Sequence, residues 1–236
     1  MSRFNTRSVA PEIMDDLLCS GEVVHQTLRE LDVINHWLGG NSVTINGLEV
    51  LLRNRPAVKS LHIADMGCGS GEMLKLINNK FKEAYPGIQL TGIDANPNII
   101  AYAESHCNDY HNIRFKAENI FDSSFQKESY DIVIATLFLH HFSHEQLVEI
   151  FRSLKKQATI GIVVNDLHRH PLAYYSIKLL TQLFSRSAMV KYDAPLSVLR
   201  GFRKREIRQI LKDAEIDRYT LRWRWAFRWQ LVINIR

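Results

Sequence analysis

Alternate glycines mark the run Asp65-Met66-Gly67-Cys68-Gly69-Ser70-Gly71, which follows an apolar stretch, Leu61 to Met66, and precedes a helical pattern opening at Glu72. Such a turn lets backbone come close to a ligand and aims a helix N-terminus at it. The dinucleotide fingerprint G-x-G-x-x-G needs glycine at position 72, where Glu72 stands, and no Gly-Lys-Ser/Thr of a phosphate loop follows. Glu72 therefore argues against NAD. Asp65 and Glu72 beside a helix entrance repel a pyrophosphate and suit a cation.

The next apolar run ends in Gly92-Ile93-Asp94-Ala95-Asn96-Pro97, which sets Asp94 at the carboxyl edge of a second strand beside the glycine loop. An acid there can accept from two ribose hydroxyls. The third run ends in Ala117-Glu118-Asn119, placing Glu118 to accept from an adenine amino group and the Asn119 backbone to meet a ring nitrogen. The fourth, Tyr130 to Leu137, carries Thr136 near its end and runs into Phe138-Leu139-His140-His141-Phe142. Ribose, adenine and a cation, without phosphate, is the ligand these positions describe. Cys68 reads as a small residue tolerated at a tight turn.

These residues need a scaffold that brings strand ends together. Val24, Leu28, Leu31, Ile34 and Leu38 recur at three- and four-residue steps, predicting an amphipathic helix from Ser20 to Leu38 with Gly39-Gly40 as its stop. A shorter helical stretch around Leu48 to Leu52 follows, and Pro56 closes this N-terminal layer. Strands at 61–66, 88–94, 113–117, 130–137 and 159–165 then alternate with helices at 72–85, 97–106 and 143–156. Strands separated by helices build right-handed crossovers and a parallel sheet covered on both faces, a doubly wound α/β fold. Residues 168–199 read as irregular and aromatic, 204–214 as helix, and 218–227 and 229–235 as an antiparallel strand pair. Strand alternation in that pair predicts Trp223, Trp225 and Phe227 on the buried face, with Arg222, Arg224 and Arg228 largely outside. The domain division is 1–57 as a helical cap and 58–236 as the ligand-binding domain, with a lid insertion at about 168–200.

The chain resembles the class I S-adenosylmethionine-dependent methyltransferases of the broad ubiquinone/menaquinone-methyltransferase-like type over roughly residues 60–166. Asp65-x-Gly67-x-Gly69-x-Gly71, Asp94, Ala117-Glu118-Asn119, Asp131 and Leu139-His140-His141-Phe142 carry the likeness. The resemblance implies a Rossmann-like seven-stranded sheet in the order 3-2-1-4-5-7-6 with strand 7 antiparallel. It implies S-adenosylmethionine as cofactor, S-adenosylhomocysteine as product, the glycine loop on the methionine part, Asp94 on the ribose and Glu118 near the adenine. Where Glu118 stands the family commonly has Asp. The cofactor-binding candidates are thus Asp65, Gly67, Cys68, Gly69, Gly71, Asp94, Ala95, Glu118, Asn119 and Thr136. No metal ligand set is expected. The N-terminal helix and the segment 164–175 are similar to a bacterial subgroup that acts on phenolic, polyketide-like or quinone-like acceptors.

Methyl transfer from a sulfonium is an in-line displacement, so alignment and exclusion of water supply most of the catalysis. A phenolic hydroxyl, with a pKa near 10, gains from a general base, and histidine is suited to that at neutral pH. His168, a few residues past the fifth strand, is the first choice and His141 the second. His140 and His170 trail, and Asp166 could orient a histidine. Tyr174, Tyr175, Leu179, Leu180, Leu183 and Phe184 recur at helical steps, a stripe that fits either a lid over the acceptor or plain core.

With 46% hydrophobic and 23% charged residues, the 236-residue chain is expected to fold as one globular domain with an elaboration. Three scattered cysteines, no apolar leader and no membrane-length run predict a soluble cytoplasmic protein. Residues 1–167 hold fifteen Lys/Arg against twenty Asp/Glu, and residues 168–236 hold fifteen against five. The basic C-terminal lobe is expected to be a solvated face or to dock an anionic partner, in the order acyl-carrier protein, membrane surface, RNA. The expected activity is methyl transfer to a small aromatic or lipid-like acceptor. RNA or protein methylation and a non-catalytic cofactor-binding protein are the alternatives, and nucleic acid is the least expected partner.

Overall fold

The computed structural model describes residues 3–53 and 60–235. Pro56 and the expected boundary between residues 57 and 58 lie outside them. Seven strands form one sheet: β1 (Ser60–Met66), β2 (Gly87–Asp94), β3 (Ile113–Ala117), β4 (Tyr130–Thr136), β5 (Ala158–Leu167), β6 (Tyr219–Arg224) and β7 (Arg228–Asn234). The order is β3-β2-β1-β4-β5-β7-β6, with β7 antiparallel to both neighbours. This is the Rossmann-like arrangement that the resemblance implies. The parallel register, with Met66 opposite Ile93 and Ala135, brings the carboxyl ends of β1, β2 and β4 to one edge.

Alternation along the central strands splits the core into two layers. Ile63, Ile132, Ile134, Val163 and Val232 face one side, under α2 (Gly40–Leu52) and α3 (Glu72–Phe81). Met66, Val133, Ala135, Ile162 and Val164 face the other, under α5 (His144–Gln157) and α8 (Lys204–Asp213). Each buried Val, Ile or Met side chain of these layers contributes about 1.5–3 kcal/mol. Ser143 caps α5 in a reciprocal box with Gln146, and Asn96 caps α4 (Pro97–His106), whose first residue is proline.

Three expectations need correction. The second N-terminal helix begins at Gly40, well before Leu48, because Gly39 at φ +68° turns the chain between α1 (Glu22–Trp37) and α2 in a single residue. The segment expected to be irregular is two helices, α6 (Pro171–Phe184) and α7 (Ala188–Arg200), joined by a short link whose Ser187 caps α7. On α6, Tyr174 is buried but Tyr175, Leu179, Leu183 and Phe184 are exposed, so most of that stripe is neither core nor cavity wall. In the terminal pair, Trp223 and Trp225 are exposed and Arg228 is buried. The turn occupies Trp225 to Phe227, with Ala226 and Phe227 both left-handed, so Arg228 enters β7 between β5 and β6 where both sides are covered.

Helix α1 packs through Val24 and Leu28 on Ile99 of α4 and Met189 of α7, bridging the carboxyl edge of the sheet. No helix among the described residues is long and apolar enough to cross a membrane.

Candidate active site

β1 delivers the glycine loop to the sheet edge. Gly67 and Cys68 donate to the Ile93 carbonyl at 2.9 and 3.1 Å, tying the loop to the end of β2. Gly67, Gly69 and Gly71 all have positive φ, and a Cβ on Gly67 would lie 2.2 Å from the Phe138 ring. Only glycine fits that turn without strain. Asp65 is buried, and its Oδ1 has no hydrogen-bond partner. Burial, reinforced by the charge of Asp94, pushes its carboxyl well above the usual range. Asp94 is also pushed up by burial, against backbone N–H groups of Asn96, Gly69 and Ala95 that favour its charged form. An orphaned buried carboxylate oxygen next to a second acid is a site that lacks a positive charge.

A cavity of about 830 Å³ opens from this loop. Asp65, Gly67, Cys68, Gly69, Asp94, Ala95, Glu118, Asn119 and Thr136 all line it. Gly71 does not; it caps α3 at φ +78°, beside Cys107 and Phe115. Burial raises the Cys68 thiol, which keeps it protonated and inert. Glu118 follows β3 directly, its N–H donating to the Asp94 carbonyl at 3.0 Å. Thr136 is held by a 2.9 Å hydroxyl contact with Thr44 of α2. The volume suits one nucleoside-sized ligand together with a second molecule.

Beyond the loop, β4 ends in the turn Leu139–His141, which aims two histidines at the same cavity. His140 is buried; its Nδ1 is 2.8 Å from Asp166 Oδ1, at the end of β5, and its N–H donates to the second Asp166 oxygen at 3.2 Å. Burial alone would raise the Asp166 carboxyl, but the charge and hydrogen bond of His140 hold it below its ordinary value. With Nδ1 engaged, Nε2 of His140 faces Glu12, 3.7 Å away. His141 Nδ1 lies 2.6 Å from Asp15, which Arg200 of α7 holds at 2.6 Å on its other oxygen. Burial opposes ionisation of Asp15, yet these two partners keep it below the usual carboxylate range. Arg200 also donates to the carbonyls of His140 and His141, fixing the turn.

His168, expected as the base, is not in the cavity wall. It lies just past β5, where the chain bridges to Phe202, and its ring is boxed by His170, Trp229 and Phe227. Its Nδ1 accepts from Trp223 Nε1 at 3.3 Å, and burial, then the charges of His170 and Arg169, pushes it down to about 4. His170 caps α6. The structure thus brings together His140, His141 and Asp166, and leaves His168 outside. Glu12, Asp15 and Arg200 join them from segments that carry no local motif. The ligand atoms of Glu12, His140 and His141 lie within 4.8 Å of one another, a spacing that could hold a metal ion. Arg200 Nη1, 3.7 Å from Glu12, already offers that cluster a cation.

Residues 63–161 match the family model described as a methyltransferase domain. A 62-residue stretch is 39% identical to the trans-aconitate 2-methyltransferase of Escherichia coli (strain 55989 / EAEC), covering 22% of this chain and 23% of that protein. The match thus spans about a quarter of the curated relative's length. Among solved structures, the plantazolicin methyltransferase BpumL in complex with SAH superposes with a TM-score of 0.63 at 18% identity, over 89% of each chain. The CurJ carbon methyltransferase gives 0.60 at 15% identity, over 82% of this chain and 54% of that one. The citrinin polyketide synthase CMeT domain gives 0.60 at 16%, over 80% and 50%. At such identities the structural likeness is one of fold. Together with the family model matched over residues 63–161 and the glycine loop at the sheet edge, it supports a class I S-adenosylmethionine-dependent methyltransferase domain.

Proposed function

We propose that this protein transfers a methyl group from S-adenosylmethionine to a small hydroxylated acceptor, a phenol being the class favoured, with His140 as general base and Asp166 as the residue that positions it. The cofactor when bound supplies an electrophilic methyl group on a sulfonium. Asp65, Asp94 and Glu118 line the cavity around the glycine loop and suit that cation and its ribose and adenine. Helix α1 and the α6–α7 pair cover the cavity, with Leu28, Ile177 and Val190 among its walls, and keep water from the reacting groups.

His140, in the wall of the same cavity as Asp94 and backed by the buried Asp166 2.8 Å from its Nδ1, carries this reading. Asp166 accepts from Nδ1–H, which leaves the Nε2 lone pair free to take the acceptor's proton and stabilises the imidazolium that forms. His141, tied to Asp15, is placed to orient the acceptor beside it.

The test is turnover of a panel of phenols and hydroxy-aromatic acids, read as formation of S-adenosylhomocysteine. His140→Ala should lower kcat by about 10²- to 10⁴-fold while leaving cofactor affinity unchanged. His168→Ala should turn over as the unsubstituted protein does. Undiminished turnover by His140→Ala would remove the base assignment, and a panel without any substrate would remove the phenol.

A further inference from the structure

One buried charge has no role in that scheme. Arg228, the first residue of β7, is only 2% exposed and lies in the cavity wall. Its Nη2 donates to Asn35 Oδ1 at 2.8 Å, while Nε and Nη1 have no hydrogen-bond partner. Asp166, the carboxylate that acts on it, does so at a distance, being committed to His140. A desolvated guanidinium with two idle donors is costly unless something else supplies the acceptor.

Its neighbourhood sharpens the demand. The guanidinium packs on Gly40 so closely that a Cβ there would lie 2.6 Å from Nη2. Gly40 opens α2, a helix of 13 residues with no side-chain cap, and the next residue, Asn41, lines the cavity. A cation against the positive end of a helix is repelled by it. An anion answers both features: one oxygen pair can accept from the guanidinium fork and from the first N–H groups of α2.

Position in the sheet says which ligand carries that anion. Arg228 is four strand positions from β2, which bears Asp94, a separation of about 19 Å across the sheet. Its neighbours in the cavity wall are Leu167, its partner across β5, and Trp225 and Phe227 of the turn before β7, at the end remote from the ribose acid.

We propose that Arg228 and the N-terminus of α2 form a carboxylate site for the methyl acceptor, so that the substrate class is a hydroxylated carboxylic acid. The inference rests on the transferase reading above. The carboxylate of the cofactor's amino-acid part has the same chemistry, and the experiment separates the two sources.

S-adenosylhomocysteine is titrated calorimetrically into the unsubstituted protein and Arg228→Met, and each saturated protein is then titrated with 4-hydroxybenzoate, 4-hydroxybenzamide and acetate. The expected result is S-adenosylhomocysteine affinity equal within about twofold, and a preference for the acid over the amide of about 10- to 100-fold that Arg228→Met abolishes. Acetate should compete with the acid and not with S-adenosylhomocysteine. Should Arg228→Met not fold, Gly40→Ala, whose methyl enters the guanidinium's place, should lose the same preference. Equal binding of acid and amide with S-adenosylhomocysteine bound normally would overturn the proposal. So would a loss of S-adenosylhomocysteine affinity in Arg228→Met, which would assign the anion to the cofactor. Failure of the unsubstituted protein to bind S-adenosylhomocysteine would instead overturn the transferase reading.

Discussion

Glu12 is the residue whose chemistry the surroundings change most legibly. Burial pushes its carboxyl up from the ordinary 4.5 to about 7, against the charges of His141 and Arg200, and its Oε1 has no hydrogen-bond partner. The folded chain therefore keeps a proton that the unfolded chain releases between about pH 4.5 and 7. Stability should fall as pH rises through that window, by at most about 3 kcal/mol, and level off above it. Glu12→Gln cannot release a proton, so urea midpoints measured from pH 4.5 to 8 should show a shallower slope in the variant. Identical slopes would mean that Glu12 ionises normally in the fold. At this scale the glycine loop was legible in the sequence because its constraint is local: three glycines and two acids lie within eight residues of one another. The base was not. His140 and His168 both follow strands, and what separates them is the partner each ring meets, Asp166 for one and Trp223 for the other. Those pairings depend on how β4, β5 and β6 pack, which spacing along one strand does not contain.

At the scale of elements, α2 is the piece most tightly bound to the sheet, because Gly47 lets it lie against β5. A Cβ on Gly47 would sit 2.4 Å from Val163 Cγ1. In an exposed helix Gly→Ala would gain up to about 1 kcal/mol, so the sign of the change is diagnostic. Gly47→Ala should cost about 1–3 kcal/mol through overpacking and lower Tm by roughly 2–10 °C. A raised Tm would show that α2 has room to move off β5. The five strands from β1 to β5 and their helices were readable because apolar runs and 3.6-residue patterns alternate with Gly and Pro at their ends. Helices α6 and α7 were not. Their apolar residues point both inward and to the surface, as Tyr174 and Tyr175 do side by side, and Pro195 lies inside α7. The burial of Arg228 is hidden from the sequence for a related reason: strand alternation is broken at Trp225 to Phe227, where the backbone turns back on itself.

For the molecule as a whole, the sheet edge joins two halves of different character. On the β1–β2 side, Asp65, Asp94 and Glu118 make an acidic pocket without a lysine or arginine among its described lining residues. On the β5–β7 side stand the His140–Asp166 pair and the one guanidinium of that lining, Arg228. Under the function proposed above, cofactor and acceptor would take opposite ends of this single cavity, which residues of α1 and α7 also line. Lys204, Arg205 and Arg208 of α8 lie on the outer surface, outside that lining, so within the basic C-terminal lobe it is Arg228 that reaches the cavity. An acidic glycine loop of this kind suits a cationic nucleoside and not a pyrophosphate. Calorimetric titration with S-adenosylmethionine, S-adenosylhomocysteine and NAD, on the unsubstituted protein and on Asp94→Ala, decides between the two. Saturable binding of the first two and none of NAD is expected, with at least about a tenfold loss in Asp94→Ala, which removes the charge-assisted acceptor for the ribose. Binding of NAD alone, or equal affinity in Asp94→Ala, would overturn this reading.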